Sequence, residues 1–524
     1  MSGSSVSLQV LARSRPLLLG RDSACCRVIR GSATAASPEE RAAAVLPFSA
    51  IPGPRRLPGI GSLWLYKIGR YDMARYHEVL QSMYHQYGPV VREDFGPDTV
   101  IHVFDSDMAK QVHQKDGKYP HVPPLQEAVR LYREKNGMSP GLGNSNGERW
   151  YRLRSAVQQL MMRPREVSCF LPLADSAARA LAHRVDSDVT ADGQLTDLTQ
   201  LVFKWALESA SMVCAERPLG ALAGGEAERR AEELIAANRR VMRASAQLKF
   251  SSLPLYKYIS TPSWRRLVAA ENCLTSFTLS LFNDTIKEVE SLVSRGRLEE
   301  GQYRFLSFML ALPNVSEDDT LIIAFSMFND GLSTTVPALL MALWCLANTP
   351  DAQQTLYREI RSALPEGSQQ PVTAEIVNNI PFMKAVLKET LRLYPIGTEV
   401  SRITDKDVEL GGYHIPAGTH VDLNQWVQLR SEDSFSEPAT FRPERWLRQN
   451  RQQIDPYLHI PFGHGTRMCA GRRFAEQDFC LALVRLLQRF ELLPADGHRQ
   501  PPRQLYETLL MPDPPVQIRF VRRR

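Results

Sequence analysis

Residues 461–473 read PFGHGTRMCAGRR, and this stretch decides how the rest of the chain is to be understood. It holds one cysteine, Cys469, in a glycine-broken, basic loop, and the amphipathic run FAEQDFCLALVRLLQRF follows at 474–490. A cysteine acts as nucleophile or metal ligand in its thiolate form, which needs positive potential nearby. A helix starting near Gly471 would aim its dipole and free amides at the sulfur. Arg467, Arg472 and Arg473 add charge, and Gly465 and Gly471 let the backbone turn tightly and approach a flat ligand closely. A nucleophilic cysteine would need a histidine and an orienting partner. His464 is close, but no partner motif accompanies it.

Composition narrows the alternatives. The chain has 524 residues, 44% of them hydrophobic, enough for a large buried core. The net charge is +6, and residues 1–44 supply half of it with six arginines against three acids. The +3 left over 480 residues gives no reason to expect nucleic-acid binding. The eight cysteines are sparse and fall mostly in apolar, helix-like runs. That pattern fits a reducing compartment better than a disulfide framework. The first 37 residues hold five arginines, one acid and many serines, the composition of an organelle transit peptide. No run of 18 apolar residues occurs, so no transmembrane helix is expected.

Prolines at 52, 54 and 58 exclude a helix interior after this segment. The expected division is a transit peptide over 1–45, a stiff proline-rich lead-in over 46–62 and one catalytic domain over 63–524. Within the domain, 3.6-residue periodicity predicts helices over 148–162, 174–186, 195–215, 227–247, 265–293, 317–347 and 374–394. Short strands are expected at 99–104, 399–403, 407–415, 419–424 and 516–521. The stretch FSSLPLYKYISTPSWRRLV (250–268) mixes aromatic, aliphatic and basic residues as interfacial segments do.

A sulfur so placed could instead be an axial ligand to haem iron, where thiolate donation favours O–O cleavage. The pattern Phe462-x-x-Gly465-x-Arg467-x-Cys469-x-Gly471 resembles the haem-binding signature of the cytochrome P450 family, with every defining position present. The likeness runs over roughly residues 48–520. It implies a mainly α fold with small β-sheets, the haem (haem b) buried between the long central helix and the helix after the cysteine loop. Cys469 would be the axial ligand of the iron. Glu389 and Arg392, at i and i+3 on one helix face, would join Arg445 in a buried structural network. Trp150, Arg154, Arg467 and Arg402 would bind the haem propionates. The central-helix groove reads Asp330-Gly331-Leu332-Ser333-Thr334-Thr335. Thr334 and Gly331 match the family. Ser333 stands where the family usually has an acid, and Asp330 where it has a small residue, so all three of Thr334, Asp330 and Ser333 are candidates for proton handling.

Within the family, GRRFAEQDF, GKYPHV, LKETLRLYP and the arginine-rich start resemble the animal mitochondrial branch of sterol, vitamin D and ecdysteroid hydroxylases. That implies a peripheral protein on the matrix side of the inner mitochondrial membrane. It would use O2, a lipophilic substrate, and electrons from an adrenodoxin-type 2Fe-2S ferredoxin with its NADPH reductase. Lys384, Lys388, Arg472 and Arg473 would form the ferredoxin patch, since the chain holds no dinucleotide fingerprint. The altered groove motivates a rival reading, a haem-thiolate isomerase or haem-binding protein without monooxygenase activity.

Overall fold

The computed structural model describes residues 45–523 apart from 252, 300, 313–314, 366–369, 451–453 and 498–499; the transit-peptide expectation lies outside the described residues. The helices are α1 Leu63–Lys67, α2 Tyr76–Tyr87, α3 Ser106–Gln114, α4 Glu127–Lys135, α5 Gly147–Met161, α6 Pro164–Ser168, α7 Leu171–Asp188 and α8 Leu198–Cys214. They continue with α9 Gly225–Lys249, α10 Pro262–Ser294, α11 Arg304–Leu310, α12 Glu317–Asn348, α13 Pro350–Ala363, α14 Ala374–Asn378, α15 Pro381–Leu393 and α16 Arg472–Arg489. The strands are β1 Val90–Phe95, β2 Asp98–Val103, β3 Glu399–Ile403, β4 Val408–Leu410, β5 Tyr413–Ile415, β6 His420–Asn424, β7 Phe490–Pro494, β8 Arg503–Glu507, β9 Leu509–Asp513 and β10 Ile518–Arg522. Four strands form one sheet in the order β1-β2-β6-β3, with β2 and β6 parallel. The other six pair two by two as β4-β5, β7-β10 and β8-β9.

The central helix α12 organises the body. Ser316 caps it by accepting from the Asp319 amide at 3.1 Å, and Glu317, Asp318 and Asp319 set three acids against its positive end. From Ile322 onward it is apolar nearly all round, as a helix enclosed by others must be. By length and composition alone it would suffice to cross a membrane, but most of that apolar stretch is buried in the protein core. It packs on α8, α9, α10, α15 and α16.

One expectation needs correction. The single helix over 374–394 is two, α14 and α15, because Pro381 disfavours the helical region at Ile380, which sits at φ −119°, ψ 70°. The segment over 46–62 lies packed against the domain. Ile51 is buried among Ile101, Val421 and Leu423, and the Arg92 amide donates to the Pro52 carbonyl at 2.8 Å while the Ser62 amide donates to the Asp94 carbonyl at 2.7 Å, which binds the segment along β1. Gly53 and Gly61 are required there, since a Cβ would meet the Arg92 and Asp94 carbonyl oxygens at 1.9 and 2.0 Å.

Candidate active site

The cysteine loop is shaped by two left-handed glycines, Gly463 (φ 75°) and Gly465 (φ 69°), and closed by Cys469 N–H donating to Phe462 O at 2.8 Å. Gly471 differs from the expected turn glycine. Its φ is an ordinary −79°, and a Cβ there would make only an ordinary contact with Cys469 Sγ, at 3.9 Å. Helix α16 begins at Arg472, and the amides of Gly471 and Arg472 point at the sulfur.

Cys469 is exposed by its own accessible surface, yet burial pushes its thiol pKa up. Asp330 on α12 shows the same pairing: an exposed side chain whose carboxyl is driven up to about 6 by burial. Both statements hold together only if the two groups face a void enclosed by protein. They sense each other across it, Asp330 raising the Cys469 pKa and Arg154 on α5 lowering it. The void is therefore walled by the cysteine loop, α12 and α5.

At its edge stand three arginines. Arg154 is only 7% exposed, and among the described residues its one hydrogen bond is to Met162 Sδ at 2.8 Å. Arg467 donates to Pro120 O, Ser145 O and Asn146 Oδ1, and its guanidinium stacks 3.8 Å over the buried Trp150 ring. Arg402 pairs with Asp116 at 3.0 Å and donates to His464 O at 3.1 Å. Burial, then Arg402 and Arg154, push Arg467 down to about 9. Among the described residues neither Arg154 nor Arg467 meets a carboxylate. A buried cation without an anion is costly, and Arg154 and Arg467, with the Asp116-paired Arg402 beside them, fit a flat group that carries two carboxylates.

On α12, Thr334 Oγ1 donates to the Asp330 carbonyl at 3.0 Å, so hydroxyl and carboxyl lie one turn apart on one face. Ser333 turns elsewhere. Its hydroxyl donates to Asn238 Oδ1 on α9 at 2.8 Å, and Asn238 Nδ2 donates to Asn329 O at 3.2 Å. Nothing in the sequence pointed to Asn238, whose partner is far away along the chain.

Glu389, Arg392 and Arg445 meet where α15 packs on the 443–446 turn, the first two fully buried. Glu389 accepts from Arg392 Nε and Nη2 (both 2.9 Å), Arg445 Nε (3.0 Å), the Arg442 amide (3.0 Å) and Trp446 Nε1 (2.8 Å). Arg392 donates onward to the carbonyls of Leu429, Pro438 and Thr440. Nothing in the sequence gives Trp446 a role; only the fold brings its indole to the carboxylate.

Lys384, Lys388 and Arg473 are exposed on α15 and α16, which pack together. Lys388 Nζ lies 5.4 Å over the Trp446 ring, while Arg472 and Arg473 both pair with Glu476, at 2.8 and 3.6 Å, which offsets part of their charge. In the α9–α10 connection Leu253, Leu255, Tyr258 and Ile259 are exposed, Tyr258 at 84%, while Tyr256 and Trp264 anchor it inward.

A family model described as Cytochrome P450 matches residues 51–520. A probable cytochrome P450 CYP44 of Caenorhabditis elegans is 40% identical over 473 residues, 89% of this chain and 92% of that protein. The mitochondrial 1,25-dihydroxyvitamin D(3) 24-hydroxylase of Rattus norvegicus is 29% identical over 90% of this chain and 89% of its own length. The mitochondrial sterol 26-hydroxylase of the same species is likewise 29% identical, with coverage of 90% and 89%.

Proposed function

This chain belongs to the cytochrome P450 family, whose members carry a thiolate-ligated haem iron and act as monooxygenases, and on that premise we propose that it is a mitochondrial, ferredoxin-dependent hydroxylase of a steroid or sterol. The observation that carries the reading is the accessible Cys469 sulfur at the start of α16, beside the Arg154 and Arg467 guanidiniums that meet no carboxylate among the described residues. Cys469 Sγ is the iron ligand, with Phe462, Gly465 and Gly471 shaping its loop, and Arg154, Arg467, Trp150 and Arg402 hold the carboxylates. Bound haem supplies the redox chemistry: O2, two electrons and two protons yield one oxygen atom in the substrate and one water. The substrate class follows from the two rat relatives named for a vitamin D and a sterol. So does the mitochondrial address, which the arginine-rich first 37 residues support. Mass spectrometry of mitochondrial protein would find a chain beginning well after Met1; one that starts at Met1 removes the transit peptide.

The chain's own residues govern protons. Thr334 Oγ1 and the Asp330 carboxyl share a face, so Asp330 can hold a proton and pass it to the threonine side of the void. Ser333 is committed to Asn238 and takes no part. Thr334→Ala is expected to keep O2 uptake but divert it to hydrogen peroxide. Asp330→Asn should slow turnover with a raised solvent isotope effect, out of the 10²–10⁴ or so that a positioned acid–base group contributes. Ser333→Ala should do little. The reverse order, a silent Asp330→Asn and an uncoupled Ser333→Ala, assigns the relay to the serine.

Electrons enter at the basic face. Lys384→Glu and Lys388→Glu should slow reduction by ferredoxin and leave the carbon monoxide spectrum intact, and wild-type association should weaken as salt rises. Unchanged reduction kinetics in both variants remove that face from the account. The exposed Leu253, Leu255, Tyr258 and Ile259 make a peripheral contact with the inner membrane, on its matrix side. Carbonate should release the protein; retention with spanning proteins counts against it.

A further inference from the structure

Asn238 on α9 is 3% exposed, and both polar atoms of its side-chain amide are engaged on α12. Its Oδ1 accepts from Ser333 Oγ at 2.8 Å, and its Nδ2 donates to the Asn329 carbonyl at 3.2 Å. Residues 329 and 333 stand four apart, so one amide from a neighbouring helix spans one turn of α12. That turn carries Asp330 and Gly331, and Thr334 follows it directly. At about 100° per residue, Ser333 lies about 60° round the helix from Asp330. The brace therefore borders the face that Asp330 and Thr334 share.

The surroundings make this brace firm. Asn329 Nδ2 donates to the Phe325 carbonyl at 3.0 Å and to Thr278 Oγ1 on α10 at 3.4 Å, which holds the preceding turn. Helix α9 is itself fixed one turn after Asn238. The Met242 carbonyl accepts from Thr508 Oγ1 at 2.9 Å, and Arg243 pairs with Glu507 at 2.5 Å. An amide presented by an anchored helix keeps its geometry more closely than one on a loop. Beside Gly331 the same turn is open, since a Cβ there would meet nothing within 4 Å. One flank of the turn is tied and another is free.

We propose that Asn238 is a positioning residue for oxygen activation, which keeps the Ser333 hydroxyl turned to α9 and out of the proton route to Thr334. A serine hydroxyl has three staggered positions about χ1, and the bond to Asn238 selects one of them. Freed, the hydroxyl would be a second, unpositioned proton carrier beside Thr334. Contact of Asn238 with substrate is disfavoured, because the residue is buried and its amide is already engaged on α12.

This inference rests on the reading that protons arrive on the face of Asp330 and Thr334, and the test separates the two. Haem-loaded full-length protein is assayed with ferredoxin, its reductase and a sterol that shifts the wild-type haem spectrum. The variants are Asn238→Leu, Asn238→Ala, Asn238→Asp, Ser333→Ala, Asp330→Asn and Asn238→Leu combined with Ser333→Ala. Asn238→Leu roughly keeps the volume and loses both bonds. It should raise the peroxide-to-product ratio about tenfold, less than the loss of a direct acid–base group. The carbon monoxide band and the sterol dissociation constant should stay as in wild type. Asn238→Asp still accepts from Ser333 and should retain more coupling than Asn238→Leu. Adding Ser333→Ala to Asn238→Leu should restore coupling in part, since the freed hydroxyl is gone; a merely structural loss is not repaired by a second truncation. Asn238→Ala, which crowds nothing, carries the same comparison if the leucine variant loads haem poorly. Wild-type coupling in Asn238→Leu and Asn238→Ala, a combined variant no better than Asn238→Leu, or a change confined to sterol affinity overturns the proposal. If Asp330→Asn is silent while Ser333→Ala repairs Asn238→Leu, the Asp330 reading falls and the brace stands.

Discussion

Cys469→His protein, reduced and saturated with carbon monoxide, is expected to lose the red-shifted absorption band of thiolate ligation entirely, and substrate turnover with it. The expectation comes from comparing the cysteines. Cys214, Cys345 and Cys480 are buried in the core, and burial drives their thiols upward, Cys480 to about 12. Cys169 is exposed but donates to the Arg165 carbonyl of its own turn. Among the described residues only Cys469 joins an accessible sulfur to the amides of a helix N-terminus and a facing guanidinium. These stabilise a thiolate, and a bound metal ion would complete the deprotonation. Histidine can still bind haem, so the variant need not lose the cofactor; it loses the thiolate's electron donation. Cys480→Ser should keep the band. A Cys469→His protein that retains it would remove the ligand assignment.

The second large effect is structural. Glu389→Gln should destabilise the folded protein by about 3–5 kcal/mol, the usual cost of leaving a buried charge unpaired. The substitution changes almost no volume, yet it leaves the Arg392 and Arg445 guanidiniums without their shared anion and turns an amide N–H toward one of them. Five donors converge on that carboxylate, and through Arg392 it also holds the carbonyls of Leu429, Pro438 and Thr440. Against a typical total of about 5–15 kcal/mol, the variant should unfold at a much lower urea concentration and load haem poorly. The midpoint of urea unfolding checks this, and an unshifted midpoint contradicts the role given to the network.

These two sites were legible in the sequence for different reasons. The cysteine loop is local: glycines, sulfur, arginines and helix start lie within about a dozen residues, so spacing carries most of the geometry. The network is not local, and Arg445 joined it only by resemblance; the role of Trp446 was invisible until the fold brought it to Glu389. Long helices with a strong period, such as α5, α9 and α12, stood close to their expected bounds. The strands β7 and β9 did not show, because Pro494 and Pro512 interrupt their pattern. Asn238 was hidden in a different way. An asparagine on an amphipathic helix reads as a solvated residue, and only packing against α12 reveals that it faces inward.

The most direct measurement is turnover with isotopically heavy O2, using haem-loaded protein, reduced 2Fe-2S ferredoxin, its NADPH reductase and a panel of sterols and vitamin D compounds. The account predicts a hydroxylated product that contains one heavy oxygen atom from O2 and none from water, formed only when ferredoxin is present. A product rearranged without oxygen from O2, or no ferredoxin-dependent O2 consumption with any member of the panel despite an intact thiolate–carbon monoxide band, would contradict it.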